Sequence, residues 1–532
     1  MLSGKNLIGY AQYGLNETTF SVGLELYQKY NLFTFNEASS AEINIAVTLA
    51  EKAFHIYRNI NTADKAFFLE ALAEAIAVSK NVFVKVAMQE TKLPQPRLEG
   101  EVQRTINQIK LFATLLKEGS WVKAVIDTAQ PDRKPLPKPD IRQMQIPLGP
   151  VAVFGASNFP FAFSVAGGDT IAALAAGCPV VYKAHPAHPA TSELVAQLLI
   201  DTIKKCNLPE GVFSLLQGKT NACSIALVTH SKIKAVAFTG SFNGGKALFD
   251  AAANRTEPIP VYAEMGSVNP VFILPGIMAK EGNTVAEKLA ASNLLSVGQF
   301  CTNPGLIFSV RSEHTENFLS AFAATIKLSN AETMLSESIY NNYNSSIKSL
   351  LVRDELKLKS YGKETSADKA ATAHMFQTDA KTFLANKDLW HEIFGPASIH
   401  IIAENIEELY AIADALQGQL TASVWAAEND MDNAAILMQT LELKAGRVMM
   451  NNVPTGVEVT HAMVHGGPFP ATTDSRSTSV GTGAIYRFTR PVCYQNFPQQ
   501  ILPDELKNEN SLKIQRLVNG EISSMHIAYD KQ

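Results

Sequence analysis

Gly149-Pro150-Val151-Ala152-Val153-Phe154-Gly155-Ala156-Ser157-Asn158-Phe159-Pro160 is a short apolar run that stops at a glycine and turns through small and amide residues. Consecutive apolar side chains ended by glycine predict a strand covered on both faces. The texture repeats downstream. Phe163 to Ala176 predicts a buried helix, Pro179 to Lys183 a strand, Thr191 to Lys205 a helix and Val212 to Gln217 a strand. Thr220 to His230 then predicts a helix, and Ala235 to Phe238 a strand that meets Gly240. Strands alternating with helices through short loops are the pattern of a parallel, doubly wound α/β sheet.

A second α/β block runs from about Val271 to Met450. The first third is helix-rich: Ala41 to Ile60, Ala63 to Lys80 and Glu101 to Glu118 carry apolar residues at helical spacing. Between the helices and the first sheet, Val122 to Met144 holds Pro131, Pro135, Pro137 and Pro139 among charges, which predicts an extended arm. Beyond Arg490 the chain is more polar and is expected at the surface or at a subunit contact.

The 532 residues leave room for about two to four domains. A net charge of −4, with no basic cluster, gives no footprint for a nucleic-acid partner. The five cysteines (Cys178, Cys206, Cys223, Cys301 and Cys493) are widely spaced without a C-x-x-C, so neither a disulfide framework nor a metal site is expected. The N-terminus lacks a signal-peptide core, and the most apolar stretches, such as Ile171 to Tyr182, are short and interrupted by glycine. The expectation is a cytoplasmic protein with no membrane partner.

Chemistry concentrates in a few segments. Cys301 lies in Ser296-Val297-Gly298-Gln299-Phe300-Cys301-Thr302-Asn303-Pro304-Gly305, among small and polar residues of the kind that stabilise a thiolate. Glu264 sits in an apolar segment just before Gly266, where an acid is costly without a partner or a task. Partial burial is expected to raise its pKa and suit it to activating water. Asn158, at a strand-to-helix corner, is either a helix cap or an amide donor to an oxyanion. Thr239-Gly240-Ser241-Phe242-Asn243-Gly244-Gly245-Lys246-Ala247 satisfies G-x-x-x-x-G-K, but Ala247 stands where a P-loop needs a hydroxyl for Mg²⁺. The plainer reading is a strand running into a helix whose N-terminus faces a phosphate. His185 and His188 have no matching ligand pattern for a metal.

These segments, in this order, resemble those of the aldehyde dehydrogenase superfamily. Gly155 to Pro160, Ser164 to Thr170 and Lys183 to Pro189 look most like its α-ketoglutaric semialdehyde (2,5-dioxovalerate) dehydrogenases. The resemblance implies two doubly wound α/β domains and an oligomerisation arm. Residues 1–118 and 146–263 would bind the dinucleotide, 264–463 would be catalytic, and 119–145 with 464–532 would form the arm and C-terminal tail. It implies NAD(P)-dependent oxidation of an aldehyde, with Cys301 as nucleophile, Glu264 as general base and Asn158 as oxyanion donor. Lys183, Gly240, Ser241, Glu392 and Phe394 would hold NADP or NAD. Glu392 and Phe394 come from Glu392-Ile393-Phe394-Gly395-Pro396, which matches the family's E-I-F-G-P. Many NAD-preferring members carry an acid where this chain has Pro186, so NADP is permitted. Phe159, Phe163, Phe300 and His461 fall where relatives line the substrate tunnel, and Arg104 is placed to grip a substrate carboxylate. Relatives are dimers or tetramers, so a homo-oligomer is expected.

Other readings remain at this point. A long-chain aldehyde would need the apolar walls that the three phenylalanines offer. A CoA-acylating relative would have little use for Glu264. A non-catalytic binding protein would not need Cys301, Asn158 and Glu264 together.

Overall fold

The computed structural model describes residues 2–26 and 29–528. Val151–Phe154, Val180–Lys183, Phe213–Leu216, Ala235–Thr239 and Val261–Glu264 run parallel in one sheet. The short strands Asn6–Ile8 and Ala11–Tyr13 extend its far edge antiparallel. Side chains alternate across a strand, and each face builds its own core. Val151, Val153, Val180 and Tyr182 pack under the helices Thr62–Thr91, Gln95–Glu118, Gly168–Ala176 and Pro189–Lys205. Ala152, Phe154, Val181 and Val236 face Ser40–Tyr57, Asn221–Thr229 and Phe242–Ala253. This is the doubly wound arrangement that the alternation predicts.

The second sheet has the order Lys357–Tyr361, His374–Asp379, Ala397–Ala403, Leu306–Val310, Val271–Ile273, Gln419–Trp425 and Ala445–Met450, parallel except for its first strand. Here too alternate residues divide between two cores: Phe272, Phe308 and Ile401 on one face, and Val271, Ile307 and Ile402 on the other. Among the described residues no helix is long and apolar enough to cross a membrane.

The structure departs from the sequence reading in three places. The helix expected from Phe163 begins only at Gly168. Ahead of it the chain doubles back, with Ala156 N–H donating to Phe163 O (2.9 Å) and Gly168 N–H to Ala162 O (3.1 Å). A Cβ at Gly167 would lie 2.6 Å from Ala162 O, so only glycine permits this approach. The helix-rich first third opens on strands, including the hairpin Thr19–Leu26 with Lys29–Asn36. Finally, residues 464–488 do not belong with the tail. Met265 N–H donates to Ala471 O (2.8 Å), and the 3₁₀ turn Thr482–Phe488 packs against the Gly168–Ala176 helix. Val125–Asp127, Ile141–Pro147, Thr489–Gln495, Arg516–Val518 and Glu521–Ser523 form a separate five-stranded sheet.

Candidate active site

The two sheets meet where Glu264 ends the last parallel strand of the first and Cys301 follows a strained turn leading into the second. Ser296, Val297 and Gly298 all have positive φ (51°, 59° and 64°). For Val297, a β-branched residue, this conformation is costly and persists only where packing demands it. The demand comes from Gly395: a Cβ at Gly298 would lie 2.3 Å from the Gly395 carbonyl carbon. Asn303 Nδ2 also donates to Gly395 O (3.0 Å), and Asn269 Nδ2 donates to both Cys301 O and Asn303 O (2.9 Å each). The cysteine loop is therefore clamped from two sides.

Asn158 reaches the same loop from the first sheet, where its Nδ2 donates to Gln299 O (2.9 Å). An amide carries two hydrogens, so one remains available to a second acceptor. Arg97 braces this corner. Its Nη2 donates to Asn158 O (2.7 Å), and its guanidinium lies over the rings of Phe159 (4.9 Å) and Phe300 (5.2 Å). Phe159 in turn contacts Phe163 and Phe300 edge-on at 5.3 and 5.5 Å, making an aromatic wall beside the thiol.

The histidine at the thiol is His465. Its Nε2 lies 3.5 Å from Cys301 Sγ and 2.9 Å from Glu264 Oε1. His461, the residue the sequence points to, is exposed and bonds Thr482 Oγ1 through Nδ1 (3.3 Å). The first residues of the loop that carries both are turned outward, and the chain enters the site at His465, just before the Gly466-Gly467 pair. A Cβ there would lie 2.5 Å from Ser477 O or 2.1 Å from Gln419 O. Ser479 Oγ donates to Glu264 Oε2 (2.6 Å), so both carboxylate oxygens are engaged.

The charge states differ from the simple expectation. Burial by itself would raise the Glu264 carboxyl, but His465 and the hydrogen bonds from His465, Ser479 and Cys301 hold it below its ordinary value. Cys301 moves the other way. Burial first, then the negative charges of Glu264 and Glu392, push the thiol well above its ordinary range, with Arg447 opposing. The resting site thus keeps the proton on sulfur.

Arg104 lies against this pocket with its guanidinium over Phe163 at 5.2 Å. Its Nε donates to Val457 O (3.3 Å), while Nη1 and Nη2 are buried without a partner among the described residues. The loop supplying Val457 is pinned by Arg447, which donates to Pro454 O (2.6 Å) and Gly456 O (2.8 Å).

On the other side of the cysteine loop, Ser267, Glu392, Phe394 and Phe300 line a narrow cleft. Burial pushes the Glu392 carboxyl up to about 8, and a Cβ at Gly266 would sit 2.4 Å from Glu392 Oε2 and displace that carboxylate. Thr239 Oγ1 is buried without a partner among the described residues, beside Gly240 at the mouth of the Phe242–Ala253 helix. Ser241 caps that helix, accepting from Gly244 N–H (3.3 Å). Lys183 ends its strand almost fully buried, and burial lowers its ammonium pKa despite Cys223 and Glu37. An unpaired hydroxyl, a helix N-terminus and a buried ammonium along one sheet edge suit the phosphates and sugars of a dinucleotide.

The aldehyde dehydrogenase family model matches residues 24–468. The chain belongs to the aldehyde dehydrogenase family. It is 46% identical over 523 residues to an alpha-ketoglutaric semialdehyde dehydrogenase of Acinetobacter baylyi, covering 98% of this chain and 99% of that one. It is 45% identical to alpha-ketoglutaric semialdehyde dehydrogenase 2 of Azospirillum brasilense, over 92% and 93% of the two chains. Betaine aldehyde dehydrogenase from Staphylococcus aureus, solved with NAD⁺, is 18% identical and superposes with a TM-score of 0.78 over 94% of this chain and 96% of its own. That likeness establishes the aldehyde dehydrogenase fold.

Within this aldehyde dehydrogenase, sequence reasoning missed His465, Ser479, Arg97 and Arg447. A histidine immediately before two glycines was the one available signal, since paired glycines mark backbone pressed against backbone. Nothing local marks Arg97 or Arg447.

Proposed function

We propose that this enzyme oxidises 2,5-dioxovalerate (α-ketoglutaric semialdehyde) to 2-oxoglutarate with NADP or NAD. The observation that carries the substrate is Arg104: two unpartnered guanidinium nitrogens, buried beside the thiol, form a fork that matches a carboxylate. The names borne by the two relatives at 45–46% identity point the same way.

In this reading the Cys301 thiol loses its proton to the hydrogen-bonded Glu264–His465 pair, whose facing atoms lie 2.9 Å apart. Cys301 Sγ attacks the aldehyde carbon. The second hydrogen of Asn158 Nδ2 and the Cys301 backbone N–H hold the oxyanion. A bound nicotinamide dinucleotide supplies the hydride acceptor, with Lys183, Thr239, Gly240, Ser241, Glu392 and Phe394 as the residues that would hold it. Once the hydride has left, Cys301 carries the acyl group as a thioester. Glu264 then draws a proton from water, whose oxygen bonds to the thioester carbon; the C–S bond breaks, Cys301 leaves as thiolate and the carboxylate is released.

Pro186 supports use of NADP, because it puts no acid beside Lys183 to repel a 2′-phosphate. Glu37, whose charge reaches Lys183, is tied to Thr220 N–H (2.9 Å). The five-stranded sheet, read as the oligomerisation arm, is the proposed subunit contact, to be checked by the solution mass.

Initial rates with 2,5-dioxovalerate and with a long-chain aldehyde, each with NAD and NADP, test the reading. Preference for the dioxo acid supports it. Preference for the long-chain aldehyde overturns the substrate and assigns the Phe159, Phe163 and Phe300 wall to an alkyl chain.

A further inference from the structure

Cys301 Sγ, His465 Nε2 and Glu264 Oε1 converge so closely that all three atoms lie within 4.8 Å of one another. Among the described residues this is the one set of three histidine, cysteine or acidic donors that meets in this way. We propose that these three side chains form a zinc-binding site that takes the catalytic thiol out of service reversibly.

The donor set carries the argument. Thiolate and imidazole together favour Zn²⁺ over Mg²⁺ or Ca²⁺, which prefer oxygen alone. Ordinary zinc–ligand lengths at tetrahedral angles place sulfur and nitrogen about 3.6 Å apart, and nitrogen and oxygen about 3.3 Å apart. The corresponding separations here are 3.5 Å and 2.9 Å. Sulfur and nitrogen already stand at the spacing a zinc ion requires, and the imidazole and carboxylate need part only by a few tenths of an ångström. Nε2 stands within contact distance of both other donors, and no two of the three atoms are more than 4.8 Å apart.

The surroundings hold the donors in place. Glu264 is oriented by Ser479 Oγ on Oε2 (2.6 Å), leaving Oε1 for the ion. His465 is anchored by its backbone N–H on Thr478 Oγ1 (2.9 Å). Its Nδ1 has no partner among the described residues, so the ring is held by that backbone contact and by Glu264. Glu264 and His465 are almost wholly buried, and a poorly hydrated setting strengthens the attraction of a cation to the anionic donors. Zn²⁺ displaces the thiol proton to solvent, with no change of oxidation state. Thiolate and carboxylate then cancel the ion's two charges, so Arg104 and Arg447 face a neutral complex. With three protein ligands the fourth position stays open, as in exchangeable rather than structural sites.

Loss of dehydrogenase activity on zinc binding rests on the function proposed above, whereas the coordination itself does not. Co²⁺ titration of the full-length protein reads coordination directly through the near-ultraviolet thiolate-to-metal band and the visible bands of four-coordinate cobalt. The wild type should bind one Co²⁺ with both features, and added Zn²⁺ should displace it. The thiolate band should vanish in Cys301→Ser. Affinity should fall at least about tenfold in both His465→Phe and Glu264→Gln, since loss of a ligand costs no less than loss of a supporting contact. An absent band in the wild type overturns the site. So does a band that survives in Cys301→Ser, or one whose affinity is unchanged in both ligand variants. A protein that binds Co²⁺ as described yet oxidises no aldehyde would sink the functional reading and leave the metal site standing.

Discussion

Arg104→Leu separates a carboxylate anchor from a tunnel wall. In the structure the guanidinium is buried over Phe163 with one hydrogen bond, from Nε to Val457 O, and two free nitrogens. A carboxylate that docks on both makes a charge-assisted, two-pronged contact away from bulk water. Removing one partner of such a pair costs about 2–5 kcal/mol. At about 1.4 kcal/mol per tenfold, a loss of roughly 3 kcal/mol lowers kcat/KM for 2,5-dioxovalerate by roughly a hundredfold. Pentanal has the same chain length and no carboxylate, so its kcat/KM should stay within about threefold, because the leucine still fills the wall. Stability without substrate should change little. The variant loses the ring contact and one hydrogen bond but no longer buries an unmatched cation, and these effects oppose one another. The assay is initial rates on both aldehydes, with a thermal melt as the folding control. Equal losses on the two substrates would assign Arg104 to the wall. An unchanged rate on the dioxo acid would remove it from substrate binding.

Asn158→Ala should lower kcat by about 10²–10³ with little change in KM, as loss of one oxyanion donor does; a change confined to KM would contradict that role. Glu264→Gln should retain a burst of reduced cofactor while slowing steady turnover. It also removes the negative charge that raises the thiol, so the Cys301 pKa falls and alkylation by iodoacetamide at neutral pH becomes faster. Slower alkylation would mean that Glu264 chiefly removes the thiol proton. Away from the site, burial lowers Lys65 from 10.5 to about 8, with Cys178 and Glu505 acting against the shift. Between those values the folded protein binds fewer protons than the unfolded chain, so this lysine makes stability rise as pH rises from about 8 to 10.5. Lys65→Met should flatten that rise in denaturant melts, and an unchanged slope would show that Lys65 is solvated.

Much of the site was legible because its residues sit at element ends that short-range patterns mark. A strand stopping at glycine announces the corner that carries Asn158, and an apolar segment broken at Gly266 announces Glu264. His465 was not legible, because its meeting with Cys301 joins residues 164 positions apart. It depends on a loop whose outer face carries the more conspicuous His461. The proton's place was misjudged for a related reason. Burial raises a lone carboxyl, but Glu264 gains His465 and Ser479 from the far end of the chain, and they reverse the sign.

The sequence by itself determined the two doubly wound sheets through periodicity, and it singled out the thiol, the amide and the carboxylate through residue types beside turns together with the resemblance of their segments to the aldehyde dehydrogenases. Only the tertiary structure decided which histidine faces the sulfur, which guanidinium keeps two nitrogens unpartnered among the described residues, and that three donor atoms lie within 4.8 Å of one another. Those properties depend on distance and on exclusion of water, which arise when the loop of residues 464–480 closes over the seam between the sheets.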